Sequence, residues 1–203
     1  MKVARYLWQG REHAGVVKGD AVVPAEHGVL ELVASPGSFR PAGEPVPLAE
    51  VRLLPPLEPP SIRDFVTFEQ HVEGMVRNSS PDATIAPEWY EAPTFYFSNP
   101  HSLVASGDAV EIPPGCGVLD YELEVAAVVG RAARNVTVEE AGGHIAGYTI
   151  FNDWSARDLQ AREMRVGLGP AKGKDFAITL GPWIVTADEL EPFRRGDRLD
   201  LVL

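Results

Sequence analysis

The 203-residue sequence has a single cysteine, Cys116, so it offers neither an internal disulfide nor a thiolate cage for zinc. That usage is the ordinary one for a reducing cytoplasm, which is the compartment expected. Positive charge is also scarce: 18 Lys and Arg stand against 29 Asp and Glu, giving 18 − 29 = −11 at pH 7. A broad basic surface for nucleic acid or anionic lipid is not expected, and an anionic ligand would have to be met by a few locally placed cations. No apolar run approaches the roughly 20 residues that span a bilayer, and the opening MKVARYLWQG lacks the apolar core of a signal peptide. No internal repeat and no low-complexity tract is present. With 45% hydrophobic and 23% charged residues, the chain reads as globular and long enough to bury a core unaided.

Residues 1–58 consist of short alternating runs, KVARYLW and HAGVV among them, broken by Gly, Pro and charged turns. They predict a small β-rich N-terminal domain. The proline-dense PPLEPPS at 55–61 reads as a stiff linker, and residues 59–203 as a second, larger domain. There an apolar start at Ile62 gives way to the helical spacing of Phe68, Val72, Met75 and Val76. Strands are expected at TFYFS, AVEIP, YELEVAAVV and GYTIFND, a short helical piece at VTVEEAGGHI, and further strands in DFAITLGPWIVTADEL. SARDLQAREM predicts a helix capped by Ser155, with Asp158 three residues on. The closing RRGDRLDLVL predicts a turn into a strand that needs a pairing partner.

The segment LDYELEVAAVVG, residues 119–130, reads as a buried strand containing Glu122 and Glu124. Side chains alternate along a strand, so these two carboxylates share one face. Burying two like charges costs several kcal/mol per ion, and a cation between them would remove the objection. Asp153, ending GYTIFND, and Asp64, at the start of the second domain, are further carboxylates of the same kind. Such an oxygen-only set suits Mg²⁺, Mn²⁺ or Ca²⁺. The plain alternative is a solvated strand face; the apolar flanks VLDY and VAAVV argue against it. GLGPAKGKD is not a phosphate loop, because Gly167 to Gly173 is one residue too long and Asp175 stands where Ser or Thr belongs.

In order along the chain, RDFVTFEQH, PTFYFSNP, DYELEVAAVVG, IFNDWSARDLQ and LGPAKGKDF resemble the fumarylacetoacetate hydrolase family, in its fumarylacetoacetase-like branch. The resemblance runs from about Ile62 to Val185. It implies a mixed α/β, predominantly β fold: a β-roll catalytic domain behind a small β-rich N-terminal domain, assembled as a homodimer. Part of the C-terminal portion of that fold is expected to be absent from this chain. Metal ligation by Asp64, Glu122, Glu124 and Asp153 is implied, with Mg²⁺ as the first expectation. His71 falls on the general base, Lys174 on the lysine that polarises a substrate oxygen, and Gln160 and Tyr96 on substrate contacts. Arg77 is a candidate carboxylate binder whose spacing does not fix it. The glutamate that partners the histidine in the family has no counterpart: three residues after His71 stands Gly74, and Glu69 and Glu73 match neither family pattern.

The implied activity is metal-dependent hydrolysis of a carbon-carbon bond in an acylpyruvate or fumarylacetoacetate-like 1,3-diketo acid, in aromatic-compound catabolism. The alternatives are decarboxylation of oxaloacetate or isomerisation and hydration of a 2-oxo-dienoate, and, from another class, a non-catalytic ligand-binding protein. In each case the partner is a small dicarbonyl or 2-oxo acid. Arg157 and Asp158 read as an exposed first-turn pair and are given no role, and His13, His27, His101 and His144 read as structural.

Overall fold

A computed structural model describes residues 1–80, 82–196 and 198–200. The chain divides into two compact units, one formed by Met1–Glu58 together with the chain from His101 onward, the other by Pro59–Pro100.

The first unit is built on a ten-stranded sheet. Lys2–Trp8 lies between Arg11–Lys18 and Ile184–Thr186, antiparallel to both. Its alternation supplies two cores, as a strand's period of two requires. Val3 packs with Ile184 and with Val29, Leu32 and Val33 of the helix Val29–Ala34. Ala4 and Tyr6 pack with Val17, Val22 and Val46 on the opposite side. The hairpin between Lys2–Trp8 and Arg11–Lys18 turns on Gln9 and Gly10, both at positive φ, 49° and 75°. That two-residue turn matches the twist of the flanking strands.

The sheet continues from Ile184–Thr186 to Ile145–Asp153, which pairs antiparallel with Ile178–Leu180 and with Leu123–Val129. Ile178–Leu180 then pairs with Leu103–Ala105, and that contact is parallel. Gly147, Thr149, Phe151 and Asp153 occupy the buried face of Ile145–Asp153. Leu123–Val129 has only this one neighbour among the described residues.

The second unit holds the antiparallel pair Ile62–Phe65 and Phe95–Ser98 and the helix Glu69–Ser79. Val72 is its buried anchor, and the indole N–H of Trp89 donates to the carbonyl of Val66 at 3.0 Å. Among the described residues, no helix is long and apolar enough to cross a membrane.

The fold is predominantly β with helical connections, as expected, but several local expectations change. The strand read over 119–130 is two: Leu119–Asp120 pairs with Ser155–Ala156, and Leu123–Val129 alternates between half-buried and exposed residues. Ala109 to Pro113 forms no strand; Pro113 and Pro114 cannot donate to a ladder, and the carbonyl of Pro113 instead accepts the turn bond from Cys116 N at 3.1 Å. Ser155 does not cap the following helix. It lies in the two-residue strand Ser155–Ala156, its hydroxyl donates to the carbonyl of Asp153 at 3.0 Å, and Ala156 stands at the cap position. The closing segment forms a short hairpin, Arg194–Arg195 with Arg198–Leu199; the strand expected beyond it, over 201–203, lies outside the described residues.

Candidate active site

Asp153 ends the strand Ile145–Asp153 on its buried face and is 0% exposed. A carboxylate taken that far from water needs a cation, because desolvation outweighs any neutral hydrogen bond. Lys174 supplies one: its Nζ donates to Asp153 Oδ2 at 2.6 Å and to Glu122 Oε2 at 2.5 Å, and it is itself only 6% exposed.

Glu122 arrives opposite Asp153 by register. Leu123 pairs with Asn152, and one step back along the ladder the N–H of Asp153 donates to the carbonyl of Glu122 at 3.0 Å. Its second oxygen, Oε1, lies 2.7 Å from Nη2 of Arg157, which also contacts Asp120 Oδ2 at 2.9 Å. Gln160, one turn along the helix Arg157–Met164, accepts from Arg157 Nη1 at 3.2 Å. The result is an alternating chain of charges, Asp153, Lys174, Glu122, Arg157 and Asp120, in which each oxygen of Glu122 meets a different cation.

The electrostatics follow from that order. Burial opposes ionisation of Glu122, but Lys174 and then Arg157 outweigh it and hold the carboxyl below its ordinary value. The hydrogen bond from Arg157, aided by the N–H of Tyr121, does the same for Asp120. Burial works against the charge on Arg157, and its two carboxylate partners more than restore it.

Glu122, Asp153 and Lys174 therefore meet, and Gln160 joins them through Arg157. Glu124 projects from the same strand face as Glu122, half-buried and opposite Phe151 in register. Asp64 and Tyr96 are cross-strand neighbours in the second unit, where the Tyr96 hydroxyl donates to Asp64 Oδ2 at 2.8 Å. His71 stands exposed in the first turn of the helix Glu69–Ser79. Among the described residues, no three His, Cys, Asp or Glu side chains gather into a group that could hold a metal ion; the positive centre that two of the carboxylates share is the ammonium of Lys174.

Arg157 is the site residue that sequence reasoning set aside. A usable signal was present, since an arginine in a first helical turn sits at the positive end of the helix dipole and needs a compensating anion. Asp158, its neighbour, instead ties down the chain before the site by accepting from Gly117 N at 2.9 Å.

The loop carrying Lys174 packs closely on this helix. A β-carbon on Gly173 would lie 2.7 Å from the backbone nitrogen of Gln160 and 2.8 Å from its Cα, both fixed in a helix. Gly173→Ala is therefore expected to cost about 1–3 kcal/mol in a thermal melt.

Acid sensitivity is a second expectation. Asp120, Glu122, Asp158 and Glu163 all have carboxyls held below their ordinary values of 3.8 or 4.5. The folded chain then binds fewer protons than the unfolded one, so this stability is complete above those ordinary values and is lost as pH falls through the depressed ones. Melting temperatures taken from about pH 6 down to about pH 2.5 should stay level at first and fall only at the acid end.

The family model for the fumarylacetoacetate (FAA) hydrolase C-terminal domain matches residues 61–202. The chain belongs to the fumarylacetoacetate hydrolase family. A second family model, Rv2993c-like, N-terminal, matches residues 1–56. Among curated members, fumarylacetoacetase from Arabidopsis thaliana is 37% identical over 164 residues, covering 72% of this chain and 39% of that protein. The chain thus spans well under half the length of that relative. Among solved structures, a fumarylacetoacetate hydrolase from psychrophilic Exiguobacterium antarcticum superposes with a TM-score of 0.70 at 25% identity, over 95% of this chain and 69% of that one. A 2-keto-3-deoxy-D-arabinonate dehydratase complexed with magnesium and 2,5-dioxopentanoate gives 0.65 at 22% identity, over 95% of this chain and 69% of that one. These neighbours share the family's β-roll fold.

Proposed function

We propose that this chain carries the active-site core of a metal-dependent hydrolase that cleaves a carbon-carbon bond in an acylpyruvate or fumarylacetoacetate-like 1,3-diketo acid, in aromatic-compound catabolism. The observation that carries the reading is the pairing of Glu122 and Asp153 on one nearly buried ammonium, with Arg157 on the far oxygen of Glu122. Three carboxylates outnumber the two cations there, so an added divalent ion is what would suit the place to an anionic keto acid.

Glu122 and Asp153 converge on one positive centre, and this all-oxygen pair is of the kind a hard divalent ion takes, with Glu124 two residues along from Glu122. Glu122, Glu124 and Asp153 would hold Mg²⁺, with Mn²⁺ or Ca²⁺ as substitutes; when bound, it supplies Lewis-acid charge at a dicarbonyl. The chain's own side chains do the rest. Lys174 places a desolvated positive charge where a substrate oxygen gains negative charge as the bond breaks. Arg157 spends its planar donor fork on Glu122 and Asp120 and so fixes the Glu122 carboxylate, and Gln160 contacts substrate in this reading. His71 takes the proton from water in this reading, and Tyr96 contacts substrate.

A second reading, decarboxylation of oxaloacetate or isomerisation or hydration of a 2-oxo-dienoate, is favoured by one observation: the acids nearest His71 on its own helix, Glu69 and Glu73, contact Tyr90 and Arg77 instead of the imidazole. We also propose a homodimer, supported by the exposed apolar side chains of Leu123, Val125 and Val129 along one strand and of Tyr121 just before it; light scattering on purified protein tests it. The deciding experiment is product analysis on a panel of acylpyruvates, fumarylacetoacetate, oxaloacetate and 2-oxo-dienoates, with Mg²⁺ and with chelator. Hydrolytic fragments that appear only with the metal support the first reading. Decarboxylated or isomerised product supports the second, and Mg²⁺ binding with no turnover on any of them would leave a ligand-binding protein.

A further inference from the structure

The loop that presents Lys174 is held by a carboxylate that takes no part in the charge chain. Glu163, in the last turn of the helix Arg157–Met164, accepts from three consecutive backbone amides: Lys172 N to Oε1 at 2.7 Å, and Ala171 N and Gly173 N to Oε2, each at 3.0 Å. Successive N–H groups aimed at one point form an anion cradle, and hydrogen bonds to an ionised acceptor are the stronger kind.

The rest of the loop is fixed from that cradle. The carbonyl of Ala171 accepts from Lys174 N at 2.9 Å and Asp175 N at 2.8 Å, and the carbonyl of Gly173 accepts from Ala156 N at 2.8 Å. Gly173 is thus held by its N–H, by its carbonyl and by its contact with Gln160, and Lys174 is the next residue. Arg157, Gln160 and Glu163 recur at intervals of three along the same helix, a spacing that keeps neighbours in reach of one another. The helix therefore places one cation on Glu122 directly, through Arg157, and holds the loop that brings the other.

We infer that Glu163 is a positioning residue for Lys174: it locks the 171–173 loop to the helix bearing Arg157, and so sets the separation of the two cations that grip Glu122. This rests on the functional reading above only in taking Lys174 as a participant in turnover. The cradle also keeps the Glu163 carboxyl ionised, since burial opposes its charge but the three amides together outweigh that and hold it below its ordinary value.

The test compares Glu163→Ala and Glu163→Gln with the parent chain. Amide hydrogen exchange at 171–173 is expected to speed up about tenfold or more in Glu163→Ala, with Glu163→Gln in between because it keeps one acceptor oxygen. On whichever panel substrate the parent turns over, kcat should drop about 10- to 100-fold, with KM changed less than about twofold. In a Lys174→Met background, the same Glu163→Ala change should cost less than about twofold, because the group it positions is already gone. Unchanged exchange at 171–173, or an equal loss of kcat in both backgrounds, overturns the proposal. If Glu163→Ala fails to fold, Glu163→Gln carries the same measurements. Should the parent chain turn over nothing, the functional reading fails, and exchange alone decides the clamp.

Discussion

Lys174→Met is expected to lower stability at pH 7 by about 3–5 kcal/mol and turnover by about 10²–10³-fold. The residue looks ordinary in sequence, a lysine in a glycine-rich loop, but it is 6% exposed and bridges a fully buried Asp153 to Glu122. Methionine matches its length and flexibility, so little packing is lost, and what remains is two converging carboxylates without their shared cation. Their repulsion raises the folded-state pKa of the pair above the unfolded value. The variant's deficit should therefore shrink as pH falls through that raised value, a sign opposite to the acid sensitivity of the parent. Melts of both proteins at about pH 7 and about pH 5 separate the two trends. If these carboxylates can take a divalent ion, millimolar Mg²⁺ should raise the variant's melting temperature more than the parent's, since binding to the folded state alone stabilises it. A variant as stable as the parent at neutral pH would mean that the bridge contributes nothing.

How the site could be read in advance depends on how far apart its parts lie along the chain. Glu122 and Asp153 were legible because a charge inside an apolar strand, or at its end, violates a local pattern. The identity of their shared cation was not, because Lys174 lies 52 residues from one carboxylate and 21 from the other, and no local pattern spans such distances. Arg157 was hidden by a competing local explanation: Ser155 in capping spacing made the start of the helix look complete, whereas Ser155 belongs to a strand. The apolar texture of Leu123–Val129 misled in another way. Leucine, valine and alanine on both faces read as burial, yet Leu123 is 50% and Val129 65% exposed, because apolar side chains that await a partner look the same in sequence as those already in a core. The N-terminal strands were straightforward, as their alternation and their Gln9–Gly10 turn are local features.

His71→Ala tests the part of the functional reading that rests most on resemblance, and it is expected to reduce turnover by about 10²–10⁴-fold with little change in melting temperature. The separation of the two effects follows from placement. His71 is exposed in the first turn of the helix Glu69–Ser79, and substitutions at such positions usually change stability by no more than about 0.5 kcal/mol. Mg²⁺ affinity should likewise stay at the parent's value, because the imidazole is not among the expected ligands. The nearby acids are committed elsewhere: Glu69 accepts from the Tyr90 hydroxyl at 2.6 Å, and Glu73 pairs with Arg77 at 3.3 Å. Hydrolysis at the parent's rate in His71→Ala would assign the activation of water to another group.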